Sequence, residues 1–336
     1  MRAEAIFIGT EQAITDAYSD RVRCAVAAMT ELMPGYLDEA ALREAAAQGL
    51  LTETEYVFST WGMVPLSEDE IARYMPSLKA VFYAAGTVRA FALPFLKRGV
   101  RVFSAWGANA VPVAEFTVSE IILANKGFFR GLHRGGAAGW PEHDGARPCP
   151  GNYGTLVGII GAGMIGSMVT ERLKQYNLRA EVFDPFLSYE RAADLGAKKV
   201  ERIEQVFEDC HVVSNHLADN PQTAGMIGKS CFDRMDPRGV FINTGRGRQV
   251  VENELIAALK KSPSRTAVLD VTWPEPPENA SELYTLPNVF LTPHIAGSLG
   301  SEIQRMGEYM FAEFEAFISG KPTKYEVTEA MLATMA

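Results

Sequence analysis

The chain has 336 residues, 47% of them hydrophobic and 22% charged, with 32 Lys and Arg against 41 Asp and Glu for a net charge of −9. That length exceeds one ordinary core and predicts two domains. The acidic balance, with no Lys/Arg run to offset it, argues against a nucleic-acid partner, although one Arg can still dominate a pocket for an anionic substrate. No apolar run is long enough to span a membrane, so none is expected as a partner. Cys24, Cys149, Cys210 and Cys231 form no CxxC pair and have no metal-ligand spacing. They predict free thiols and no metal site. Met1-Arg2-Ala3-Glu4-Ala5-Ile6-Phe7-Ile8 reads as a first strand rather than a signal peptide, and the expected location is cytoplasmic.

The first hundred residues alternate strand and helix patterns. Strands read at 5–8, 56–58, 80–83 and 100–103. A helix from about Asp38 to Gln48 stops at Gly49, and another opens on Ser67 with Glu70 at capping-box spacing. Such alternation implies a parallel sheet covered by helices. A longer helical pattern follows from about Val113 to His133, with Ala114, Val118, Ile121, Ile122 and Phe129 on one face. The stretch from Gly135 to Gly154 reads as loop. A second α/β unit starts at Thr155, with strands at 156–160, 180–183, 212–214, 240–242, 267–269 and 289–291. A last helix is expected from Ser301, capped with Gln304, burying Ile303, Met306, Met310, Phe314 and Phe317 and ending at Gly320 before Pro322.

Gly161-Ala162-Gly163-Met164-Ile165-Gly166 lies between the 156–160 strand and a helix expected over Ser167–Gln175. Gly161 suits a tight turn, Gly163 a close approach of backbone to a pyrophosphate, and Gly166 close helix–strand packing. A lone GxGxxG carries little weight, but the strand–turn–helix context is the right one. Asp184 ends the next strand, where a carboxylate bonds the adenosine ribose hydroxyls and repels a 2′-phosphate. The cofactor expected is therefore NAD rather than NADP.

Three further motifs each follow an apolar strand: Asn243-Thr244-Gly245-Arg246-Gly247, Asp270-Val271-Thr272-Trp273-Pro274-Glu275-Pro276, and Thr292-Pro293-His294-Ile295-Ala296-Gly297. They set an Arg, a Glu and a His just past the C-terminal ends of strands, the edge of an open α/β sheet where ligands bind. Arg clamps carboxylates through its planar fork, and a His held by a carboxylate exchanges protons near neutral pH. The set suits chemistry on a 2-oxo or 2-hydroxy acid. An Arg between two glycines is poor packing material. Glu275, by contrast, could be a solvated loop residue, and His294 a satisfied core histidine. His216 ends the 212–214 strand and either lines the cofactor site or plays a structural part. His133, His143 and His211 carry no partner pattern. Trp61, Trp106 and Trp273 either shape a pocket or pack in the core.

With these motifs in order, the chain resembles the D-isomer-specific 2-hydroxyacid dehydrogenases. The resemblance is good from about Leu93 to Gly297 and looser before it. Gly107-Ala108-Asn109, Val113-Ala114-Glu115, Val212-Val213-Ser214-Asn215-His216 and Pro221-Gln222-Thr223 add to it. It implies two doubly wound parallel-sheet domains: a Rossmann-type NAD domain at 111–296, inserted in a flavodoxin-like substrate domain built from 1–110 plus 297–336. Substrate would lie in a cleft between them, with chain crossings near Asn109 and Ala296. It implies that Arg246 binds the carboxylate and oxo group, that His294 is the acid/base, and that Glu275 orients it. Asp270 would contact the nicotinamide carboxamide, and the backbone around Gly86-Thr87-Val88 would complete the carboxylate site beside a wall at Trp61. The cofactor set extends to Met164, Ile165, His216, Thr223, Thr244 and Gly297. A homodimer is implied, with the 113–133 region contributing to its interface.

Departures from the family pattern fall mostly on the substrate side. The loop reads Ala84-Ala85-Gly86-Thr87-Val88-Arg89, without the usual acidic residues; Trp106 and Ala218 stand where Pro is common, and Gly245 where Ala is common. They leave the reaction type intact and the particular acid open. A formate-oxidising relative would typically carry Gln in place of Glu275. The alternative of another class is an NADH-sensing binding protein, like the corepressors that share this fold, but no interaction tail is visible.

Overall fold

The computed structural model describes residues 3–132 and 149–333. The predicted positions His133 and His143, and the 135–148 part of the expected loop, lie outside the described residues; Pro150–Gly154 carry no regular element. The chain divides into two compact units. One takes in the chain up to Asn109 and again from Ser298, and the other is the inserted stretch Ala110–Gly297.

The first unit's sheet contains β1 (Glu4–Ile8), β2 (Glu31–Leu32), β3 (Thr54–Ser59), β4 (Ala80–Tyr83), β5 (Arg101–Ser104) and β13 (Glu326–Val327), in the order β13-β5-β4-β3-β1-β2. The first five run parallel in the flavodoxin-like order. β13 adds an antiparallel edge on β5, so the sheet is mixed rather than wholly parallel. Alternation along β1 explains why both faces are covered. Ile6 and Ile8 point into one cluster with Leu42, Ile71 and Phe95, while Ala5 and Phe7 point into the other. That second cluster is aromatic. Phe82 stacks on Phe103 at 4.9 Å and on Phe58 at 5.2 Å, and Met306, Met310 and Phe314 of helix Ser301–Ile318 cover them.

The inserted unit carries β6 (Leu156–Ile160), β7 (Arg179–Phe183), β8 (Ala197–Val200), β9 (Val212–Asn215), β10 (Val240–Asn243), β11 (Thr266–Leu269) and β12 (Val289–Leu291). All seven are parallel, in the order β12-β11-β10-β9-β6-β7-β8. The order reverses between β6 and β9, the switch point at which such sheets open a crevice at their carboxyl ends. The glycine-rich turn follows β6, and the three motifs follow β10, β11 and β12.

Several expected elements are corrected. The inserted sheet has a seventh strand, β8, whose Ala-Lys-Lys-Val sequence carries no strand pattern. The long helix begins at Trp106, well before Val113, because Pro112 is accommodated inside it; it ends at Asn125, and a separate turn of helix follows at Phe128–Leu132 past Gly127, which has φ +73°. The helix after the glycine turn starts at Met164 rather than Ser167 and gives way at Lys174 to a short 3-10 turn. Ser301 does not cap the last helix. Gly300 occupies the cap position without a side-chain bond, and Glu302 accepts the Leu299 N–H at 3.0 Å. Among the described residues no helix is long and apolar enough to cross a membrane.

Candidate active site

The glycine-rich turn is built by close approach. Gly161 has φ +91°, and a Cβ there would meet the His216 carbonyl at 2.8 Å. A Cβ on Gly166 would fall 1.9 Å from the Gly161 carbonyl oxygen, so helix Met164–Leu173 can start this close to β6 only without a side chain. Gly163 has open space around its missing Cβ and caps the helix with no side-chain bond. The first-turn N–H groups are therefore left for an anion, as a pyrophosphate requires. Met164 is exposed beside them, and Ile165 packs into the core beneath. Asp184 Oδ2 accepts the Ala162 N–H at 2.7 Å and Oδ1 the Phe186 N–H at 2.8 Å. These residues fit a dinucleotide.

His216 is buried under this turn. Its Nε2 lies 2.9 Å from Ser214 Oγ, and Nδ1 is buried without a hydrogen-bond partner. Burial pulls its pKa down to about 3, so the ring is neutral. Thr223 spends its hydroxyl on the Ala218 carbonyl at 2.6 Å and shapes the 218–223 turn.

At the ends of β11 and β12 one carboxylate organises the turn that carries His294. Asp270, 2% exposed, accepts from Thr292 Oγ1 at 2.6 Å, Ile295 N–H at 2.8 Å and Ala296 N–H at 2.9 Å. The His294 N–H lies 3.0 Å from both the Asp270 and Thr292 carbonyls. His294 itself sits at φ +55°, a conformation that costs a side-chain-bearing residue roughly 1–2 kcal/mol and persists only where the surroundings enforce it. Here they do. The reward is orientation: His294 Nδ1 lies 2.6 Å from Glu275 Oε1, with both side chains partly exposed. Nε2 is not used in that contact.

Arg246 follows β10 in extended backbone and is half-buried, with Nη1 donating to the Gly245 carbonyl at 2.7 Å. Burial pulls its pKa below the usual guanidinium range, and the carboxylates of Asp219 and Glu275 act against that. Its loop is pinned by amides to which the sequence motifs assign no role. Asn243 Nδ2 donates to the Arg246 carbonyl at 3.0 Å; Asn215 Nδ2 donates to Asn243 Oδ1 at 3.0 Å and to Gln249 Oε1 at 2.5 Å; and Gln249 Nε2 donates to the Leu217 carbonyl at 2.7 Å. The signal is that uncharged buried amides, Asn215 and Asn243 at strand ends and Gln249 just beyond, need partners. Gly247 packs its backbone on Thr272, where a Cβ would meet the carbonyl carbon at 1.9 Å. Thr244 Oγ1 bonds Thr117 Oγ1 at 2.8 Å. Gly297 is the last residue of this unit.

Arg246, Glu275, His294, Asp270 and the glycine turn thus belong to one compact unit. The other expected substrate residues belong to the first unit: Trp61, 45% exposed, follows β3, and Gly86 and Thr87 follow β4.

A family model described as D-isomer specific 2-hydroxyacid dehydrogenase, NAD binding domain, matches residues 119–296. The chain is 33% identical over 276 residues to a Bacillus subtilis (strain 168) protein named "Putative 2-hydroxyacid dehydrogenase YoaD", covering 76% of this chain and 72% of that protein. It is 29% identical over 233 residues to the D-3-phosphoglycerate dehydrogenase of Archaeoglobus fulgidus, covering 69% of this chain but only 43% of that longer protein. Among solved structures, the apo form of Rhodotorula graminis D-mandelate dehydrogenase matches with a TM-score of 0.83 at 22% identity, covering 98% of each chain, a likeness of fold.

Proposed function

The chain belongs to the D-isomer-specific 2-hydroxyacid dehydrogenase family, an NAD-dependent oxidoreductase that interconverts 2-oxo and 2-hydroxy acids, and on that premise we propose how its own residues perform the reaction. The observation that carries the reading is the His294–Glu275 contact of 2.6 Å on a turn anchored by Asp270. Arg246 holds the substrate carboxylate and its oxo group, with the guanidinium's fork fixing the plane of the acid. Bound NAD(H) supplies or accepts the hydride at C2. His294, its Nδ1 held by Glu275, delivers a proton from Nε2 to the carbonyl oxygen in reduction and takes it back in oxidation. The first-turn amides after Gly163 hold the pyrophosphate, and Asp184 holds the adenosine ribose, favouring NAD over NADP. Gly86, Thr87 and Trp61, which belong to the first unit, are the substrate-binding residues proposed there.

Leu123, Phe128 and Leu132 stand 38%, 43% and 54% exposed on the stretch expected to pair subunits, which supports a homodimer. Four free thiols suit a reducing, cytoplasmic setting.

The test is NADH oxidation over a panel of 2-oxo acids, glyoxylate, hydroxypyruvate, pyruvate and larger members, run in parallel with NADPH and with His294→Ala. At least one acid should be reduced, NADH should be preferred, and the variant should fall by about 100-fold or more. A His294→Ala enzyme that matched the parent rate would remove the acid/base assignment.

A further inference from the structure

Glu120 is a buried ionisable group that the reaction leaves unexplained. It lies in the helix Trp106–Asn125, is 7% exposed, and its Oε2 is buried with no hydrogen-bond partner. Its surroundings follow from register. Thr117, one helical turn earlier, bonds Thr244 across to the loop after β10. Asn243 pairs with Leu269 in the sheet, so Thr244 and Asp270 are neighbours at adjoining strand ends. A residue three positions on from Thr117 lies on the same helix face. Among the described residues Asp270 is the charged group whose field reaches Glu120; Ile121 and Ala124 of the same helix share an apolar core cluster with Ile242 and Val268. Burial first, and Asp270 second, push the Glu120 carboxyl up to about 8. At neutral pH it is a neutral acid within the field of the Asp270 carboxylate.

We propose that Glu120 is a positioning residue for His294: as an uncharged acid it packs behind Asp270, and its ionisation, by setting a second negative charge against Asp270, loosens the 292–296 turn that presents the imidazole. The physical link is the set of N–H bonds from Ile295 and Ala296 to Asp270. They draw strength from its full charge. Once Glu120 is ionised, its charge opposes that of Asp270 and drives the two carboxylates apart. That movement strains the anchor. Among the described residues no cation acts on Glu120 to relieve the repulsion. The role in catalysis rests on the acid/base assignment of His294, but the loosening of the turn does not.

The test compares the wild type with Glu120→Gln, which is permanently neutral. In oxidation of a 2-hydroxy acid a histidine base improves as pH rises, so a falling limb isolates the second ionisation. Wild-type kcat/KM should fall about tenfold per pH unit above a break near 8, and Glu120→Gln should lack that break. Amide hydrogen exchange supplies a readout free of activity. The Ile295 and Ala296 amides should exchange faster above that pH in the wild type, beyond the intrinsic base dependence, and not in the variant. A falling limb or accelerated exchange that persists in Glu120→Gln, or is absent from both proteins, overturns the proposal. If exchange behaves as expected while no 2-hydroxy acid is oxidised, the functional reading fails and the electrostatic device stands. Should Glu120→Gln not fold, infrared titration of the wild type decides: a protonated-carboxyl band must disappear with the midpoint of the exchange transition, and a mismatch overturns the proposal.

Discussion

Asp184 Oδ2 accepts the N–H of Ala162 at 2.7 Å, so the carboxylate that ends β7 is bonded to the middle of the glycine-rich turn. It holds the turn's shape before any ribose reaches it. Asp184→Ala should therefore weaken NADH binding by about 10- to 100-fold, the worth of hydrogen bonds to a charged group. It should also narrow the gap between NADH and NADPH, since the charge that repels a 2′-phosphate is gone. Fluorescence titration with both nucleotides measures this; an unchanged NADH affinity would dissociate the carboxylate from the turn's function.

His294 and Glu275 should behave as a unit. His294→Ala removes the proton donor and Glu275→Gln loosens its orientation. Turnover should drop by about 100-fold or more for the first and less for the second. NADH affinity should be nearly untouched in both. The double variant should be little worse than His294→Ala alone, because Glu275 acts through the ring. Steady-state kinetics of the four proteins of the cycle would reveal additive losses if the 2.6 Å contact were idle.

Gly247→Ala should be costly for its size. The new methyl would meet the Thr272 carbonyl carbon at 1.9 Å, against backbone that cannot rotate away. Overpacking of this kind costs about 1–3 kcal/mol or more. Thermal unfolding should register it, and turnover should fall further than stability alone explains, because Arg246 is displaced with the loop.

Glu120 also makes stability depend on pH. Below pH 4.5, the ordinary value, its carboxyl is protonated whether the chain is folded or not. Between 4.5 and about 8 the unfolded chain releases the proton that the folded chain keeps, and stability declines with rising pH. Above about 8 the loss is complete. Relative to Glu120→Gln the wild type should lose roughly 3–5 kcal/mol across that window. Chemical denaturation at a series of pH values would show parallel curves if the group were not raised.

What could be read in the sequence follows from how strongly each element advertises its burial. The central strands are mostly apolar because both faces are covered, and the motifs at their ends contain residues with no packing rationale, such as Arg246 between two glycines. The edge strands β2, β8 and β13 were illegible because they are two to four residues long and carry Glu or Lys, held by backbone pairing alone. Pro112 hid the true start of the long helix. The glycine turn and its packing were legible, but the attachment of Asp184 to Ala162 was not, because it depends on where a loop folds back. The bonds by which Asp270 holds the turn beneath His294 leave no trace in a motif. Glu120 sat inside an apolar helical pattern, and an acidic residue on a buried face was the signal to follow.

The inserted unit lends the molecule a particular order of assembly. On the ribosome, Ala110–Gly297 has every strand of its sheet in hand by Leu291. The first 109 residues still lack helix Ser301–Ile318, which roofs Phe58, Phe82 and Phe103, and β13, which pairs with the free side of β5. The middle of this polypeptide can thus mature before its beginning. Phe58, Phe82 and Phe103 go without that roof until the helix emerges, so the stretch made first is the last to be closed over.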